Sequence, residues 1–169
     1  MENNIIFHIT GLLCVTLFII GLQFKSNNKL KKYMTIASLI AALNMLMIGQ
    51  YSGMAINIIN FFRNIVSLNI QLIEKFKHLI SFGFVSSYVI VQYFIEDKYW
   101  YLPILASTIG MVAIFYLKGV YVRYSLLLGT TTWLLYAIAH NNIYGIILES
   151  IVICSFISSF ILNKFKYEY

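Results

Sequence analysis

Seven long apolar runs alternate with short polar connections along the chain: Ile5–Phe24, Tyr33–Ile48, Met54–Leu72, Leu79–Ile95, Tyr101–Leu117, Ser125–Ala139 and Ile143–Leu162. Apolar residues are continuous within each run. A spanning barrel would instead show period-two alternation over segments of about ten residues. Only helices and closed barrels cross lipid, because every backbone amide must be satisfied internally. The pattern therefore predicts an all-α polytopic membrane protein with seven transmembrane helices. The second and sixth runs are short, since about 16 helical residues rise only about 24 Å. They span if flanking residues continue the helix or the bilayer thins locally.

Composition strengthens this picture. The chain of 169 residues is 60% apolar and 11% charged, against about 25% charged in soluble domains. So small a soluble domain has no interior large enough for that apolar surface, and the lipid bilayer is its expected solvent. Met1-Glu2-Asn3-Asn4 lacks the basic region of a secretory signal, so the first helix reads as permanent. No linker or charge run divides residues 1–169, which read as a single membrane domain. Cys14 and Cys154 sit inside apolar runs without metal-ligand spacing and read as packing residues.

Charge then orients the chain. Of the twelve Lys and Arg residues, eleven fall on one side when the seven runs are threaded back and forth: Lys25, Lys29, Lys31, Lys32, Arg63, Lys75, Lys77, Lys118, Arg123, Lys164 and Lys166. The other side holds only Lys98, beside Glu96 and Asp97. Lys/Arg bias in short loops marks the cytoplasmic side, which predicts the N-terminus outside and the C-terminus in the cytoplasm. The net charge of +6 is thereby explained as loop charge, and no nucleic-acid partner is expected.

A shift of 92 residues lays the first three runs over the last three without a gap. Gly11 falls on Pro103, Thr16 on Thr108, Gly53 on Gly145, Asn57 on Glu149 and Ser67 on Ser159. Matched run lengths and loop signs carry the repeat, rather than identities. Two three-helix units in the same orientation need a linker helix. The expected architecture is 3+1+3: a bundle over residues 5–72, a linker helix over 79–95, and a second, parallel bundle over 101–162.

That layout resembles the SWEET/PQ-loop superfamily, whose members pack two three-helix bundles joined by a linker helix. More specifically, the chain resembles the YgjV-type bacterial inner-membrane protein family, through Lys25–Arg63, with Gly49-Gln-Tyr-Ser-Gly53, Asn57 and Arg63, and through Tyr124–Glu149, with Trp133, Tyr136 and Tyr144-Gly145. In SWEET-like sugar transporters the central site uses an Asn on the third helix of each bundle and a Trp on the middle helix. The resemblance implies those roles for Asn57 and Trp133. Glu149 stands where the second Asn would be, and Ala41 where a second polar or aromatic residue would be. The Pro of the PQ motif survives only as Pro103, with Gly11 as its counterpart and no Gln after either. These departures count against sugar as the solute.

The polar residues inside the runs carry the candidate chemistry. Gly53, Asn57, Asn60, Asn64 and Ser67 share one helical face. Polar atoms facing lipid are costly, so this stripe faces protein or a watery cavity. It reads either as interhelical glue or as a solute pathway, with Asn57, Asn60 and Asn64 as binding residues. Glu149 is the one acid inside a run, able to take a proton, a cation or a substrate amine. Arg63 either snorkels toward the cytoplasmic surface or pairs with Glu149 as a gate. Trp133 and Tyr136, with Gly129 and His140, form a stripe suited to a flat solute or to bundle packing.

Other chemistries find no support in the chain. There is no Gly-rich phosphate loop, no His/Cys metal cluster and no nucleophile–base–acid spacing. No enzyme, cofactor, metal or catalytic residue is expected. The sequence reads as an inner-membrane protein that binds or transports a small solute near Asn57, Trp133 and Glu149, by rocking one bundle against the other. The rival is a non-transporting receptor or an assembly subunit. A homo-oligomer is compatible with either.

Overall fold

The computed structural model describes residues 2–24 and 27–161. Among them are seven α-helices: α1 (Glu2–Gln23), α2 (Asn27–Met47), α3 (Tyr51–Val66), α4 (Ile70–Tyr93), α5 (Tyr101–Tyr116), α6 (Val120–Ala139) and α7 (Ile143–Ile161). The all-α class and the number of helices agree with the apolar pattern; several ends do not. α2 starts at Asn27 rather than Tyr33 and α4 at Ile70 rather than Leu79, so Lys29, Lys31, Lys32, Lys75 and Lys77 are helical and not loop residues. α3 ends at Val66 rather than Leu72. An apolar run marks where a helix meets apolar surroundings, whereas caps and backbone hydrogen bonds set its ends. Asn69 caps α4 by accepting from the Leu72 N–H at 3.1 Å, which moves a helix start into the tail of the third run. Non-helical backbone at Phe76 (φ −126, ψ 18) then kinks α4 just after its first charged turns. Lys25, Lys164 and Lys166 lie outside the described residues.

Helix contacts close a ring. α1 packs on α2 and α2 on α3; α5 packs on α6 and α6 on α7. The two sets meet where α3 touches α5 and where α1 touches α7. α4 lies against α3 and α5, beside the seam between them. Exchanging α1, α2 and α3 with α5, α6 and α7 leaves the contacts among these six helices unchanged, while α4 touches α3 and α5 and not their counterparts α7 and α1.

The same correspondence holds in local backbone. α2 and α6 end at Gly49 (φ 73) and Asn141 (φ 51), both left-handed. The Gln50 N–H returns to the Met45 carbonyl at 2.9 Å, and the Asn142 N–H to the Ala137 carbonyl at 2.9 Å. These are one helix-ending turn used twice, 92 residues apart. Gln50 and Asn142 then meet across the ring, Asn142 Nδ2 donating to Gln50 Oε1 at 3.0 Å.

Polarity is inverted relative to a soluble fold. Leu79, Phe82 and Phe94 are 70%, 72% and 78% exposed, while Arg63 is 3% and Asn64 0% exposed. An apolar exterior this extensive needs a covering. No helix, over the described residues, is long and apolar enough by itself to cross a membrane. Two physical features bear on five of the seven helices. α3 and α5 have 16 residues each, about 24 Å of rise against about 30 Å of hydrocarbon. α2, α4 and α6 carry Lys31 and Lys32, Lys77 and Gln92, and Arg123 within their lengths.

Candidate functional site

α3 turns its polar face inward, and most of that face is bonded to other helices. Asn60 Nδ2 donates to Ser107 Oγ on α5 at 2.9 Å, and Asn60 Oδ1 accepts from Tyr88 OH on α4 at 2.9 Å. Asn64 Nδ2 donates to Ser38 Oγ on α2 at 3.2 Å. Ser52 Oγ donates to Gln92 Oε1 on α4 at 2.6 Å. Much of the stripe therefore joins helices. Asn57 is tied more weakly: its Nδ2 donates to the Gly53 carbonyl of its own helix at 3.0 Å and reaches α2 only through Met45 Sδ at 3.4 Å.

A cavity of about 110 Å³ lies inside the ring, with walls from α1, α2, α3, α5, α6 and α7. Asn57, Asn60 and Arg63 reach it from α3, Trp133 from α6 and Glu149 from α7. Five residues from three helices are thus gathered around one space. Glu149 makes no hydrogen bond or ion pair with any described residue. The Trp133 indole N–H has no protein acceptor among them either; its ring stands edge-on to Tyr136, with centroids 5.8 Å apart.

Three sequence-based assignments change. Asn64 does not line the cavity and is fully buried between Arg63 and Ser38, so it joins helices instead of meeting a solute. Tyr136 does not line the cavity either; its hydroxyl is held at one end of the ring. Arg63 neither snorkels nor pairs with Glu149. Its Nη1 donates to the Ser107 carbonyl at 2.9 Å, and its Nη2 and Nε to Asn64 Oδ1 at 3.0 and 3.3 Å. Acceptors close at hand turn the guanidinium inward, and Gly110 leaves it room: a Cβ there would stand 3.4 Å from Nη1.

Tyr136 belongs to a polar lock that the sequence reading missed. The Gly53 N–H lies in the first turn of α3, where no intrahelical acceptor exists. Tyr136 OH accepts from it at 3.1 Å and donates to Asp97 Oδ2 at 3.0 Å. Asp97 Oδ1 accepts from the Tyr99 N–H at 2.8 Å and faces His140 Nε2 at 3.3 Å. One carboxylate thus joins the α4–α5 connection to the end of α6 and, through Tyr136, to α3. At the same end His8 of α1 bonds Tyr144 of α7. The available signal was the proximity of Asp97 and His140 to helix ends on one side, but sequence spacing does not bring them together.

At the opposite end Lys31 Nζ donates to the Ser67 carbonyl at 3.0 Å, and Arg123 Nη2 to the Phe24 carbonyl at 3.3 Å. Lys31 and Arg123 correspond under the 92-residue shift. The two seams of the ring have diverged, however. Asn60, Arg63 and Ser107 bond α3 to α5, whereas α1 and α7 contribute Cys14, Val15, Val152 and Phe156 to an apolar cluster.

No curated protein and no solved structure matches the chain. The family model for the bacterial inner membrane protein family Imp-YgjV matches residues 5–165. That span is nearly the whole chain, which therefore belongs to the Imp-YgjV family of bacterial inner-membrane proteins.

Proposed function

We propose that the protein carries a small solute across the bacterial inner membrane, through the cavity enclosed by its ring of helices. One observation carries this reading. Glu149, Asn57 and Trp133 face a single cavity with polar capacity unused by the protein. A buried carboxyl without a partner is costly in a fold built only for packing. It is useful where a ligand supplies the partner.

The helices span collectively, with shorter α3 and α5 screened by their neighbours and by local thinning. The apolar exterior supports this. The end carrying Lys98, Asp97 and His140 faces outward and the end carrying Lys31 and Arg123 faces the cytoplasm, following the Lys/Arg bias. The architecture is SWEET-like: α1–α3 and α5–α7 form two parallel units, with α4 as linker. The repeated turns at Gly49 and Asn141 and the matching contacts among α1–α3 and α5–α7 support it. Rocking of the units opens the cavity to each side in turn. The Asp97–His140–Tyr136 lock closes the outer mouth.

A receptor or assembly subunit is the second reading, favoured by the bonds that Asn60, Asn64 and Ser52 make to other helices. Flux into proteoliposomes with a panel of amino acids, amines, sugars and vitamins separates the two. Transport of at least one solute, lost in the Asn57→Ala/Glu149→Ala double variant, is the expected result. Flux that survives both substitutions rules out this site.

A further inference from the structure

A guanidinium and a carboxyl line the cavity from opposite sides of the ring without touching. Arg63 comes from α3 and Glu149 from α7. Neither forms a salt bridge with a described residue. The acceptors that hold Arg63, the Ser107 carbonyl and Asn64 Oδ1, are both neutral. A guanidinium has five N–H donors; here they meet only neutral groups, the Ser107 carbonyl, Asn64 Oδ1 and the Tyr88 hydroxyl. Glu149 bonds none of the described residues. A charge held inside the ring without a counter-charge is costly.

We infer that the cavity takes a small zwitterion, an amino-acid-like molecule whose carboxylate meets Arg63 and whose ammonium meets Glu149. The inference rests on the solute-carrier reading above and names the class of solute. Trp133 offers a ring face to an ammonium. Asn57 Oδ1, unbonded among the described residues, offers a further acceptor. Size agrees: 110 Å³ lies between the roughly 30 Å³ of one water and the roughly 150 Å³ cavity that holds benzene. That volume suits a solute of a few non-hydrogen atoms. Selectivity follows from the charges left over. An amine alone leaves Arg63 unpaired, and a carboxylate alone leaves Glu149 unpaired.

Equilibrium binding of radiolabelled alanine to the purified full-length protein tests this, with unlabelled glycine, isopropylamine, propionate and glycerol as competitors. Glycine should displace the label, and the other three should do so only at about 30-fold higher concentration or more. Glu149→Gln, which keeps the shape of the side chain, should weaken alanine binding by a similar factor and let propionate compete as well as alanine. Direct binding of labelled isopropylamine, propionate or glycerol in the absence of alanine binding would overturn the zwitterion and leave the solute site standing. Equal competition by isopropylamine and glycine would do the same. Absence of binding by all four classes would overturn the carrier reading and this inference with it.

Discussion

Glu149 faces a cavity with no donor among the described residues to meet it, which gives a direct test of whether it serves stability or function. A residue kept for folding destabilises when replaced, whereas an unpaired buried carboxyl stabilises when replaced by an apolar side chain of similar size. Glu149→Leu is expected to raise unfolding stability in detergent by about 1–3 kcal/mol while abolishing flux; a lower stability would place Glu149 in the packing. Tyr136 behaves in the opposite way. Tyr136→Phe removes the acceptor of the Gly53 N–H and the donor to Asp97, and should cost about 1–3 kcal/mol in the same measurement. A double cycle with Asp97→Asn should be non-additive, because the two groups share one bond. The inward face of α3 was legible in the sequence because helical period shows which residues share a side. What that face meets was not. Ser38, Tyr88 and Ser107 are 26, 28 and 47 residues from their partners on α3, and no local pattern encodes those pairings. Asn64 and Tyr136 were assigned to the solute for that reason.

At the scale of elements, the ends of α2 and α6 are the most instructive. Both need a left-handed residue, and the chain supplies Gly49 in one and Asn141 in the other. Glycine enters that region without strain and asparagine at small cost, whereas a Cβ-bearing residue such as alanine loses about 1 kcal/mol or more. Gly49→Ala should therefore destabilise by about 1–2 kcal/mol, and Asn141→Gly should be near neutral in chemical unfolding. A neutral Gly49→Ala would mean that the turn does not hold α2 against α3. Apolar runs located all seven helices because burial in helices needs continuous apolar stretches. They misplaced the starts of α2 and α4 because helix continues through polar, lysine-bearing turns that hydropathy does not count, with Asn69 capping α4. The short α3 is the same effect seen from its other side.

For the whole molecule, the repeat and the charge bias make separate claims. The repeat concerns how the chain closes on itself, and Gln50 and Asn142, 92 residues apart, meet across the ring. The charge bias concerns which end of the ring faces the cytoplasm. In a background lacking Cys14 and Cys154, Lys98→Cys should react with a membrane-impermeant maleimide in intact cells, and Lys118→Cys only after permeabilisation; the reverse would invert the topology. The central claim is that the ring encloses a cavity open to each side in turn, instead of a dry interface. Thr130 lines that cavity and makes no bond with a described residue, so a cysteine there reports on access without removing a binding group. The measurement is modification of Thr130→Cys, in the same background, by a charged methanethiosulfonate supplied from either face of oriented vesicles. Reaction from both faces, slowed by saturating solute, is the result this account predicts. A thiol inert from both faces, while the Lys98→Cys control reacts, would contradict it.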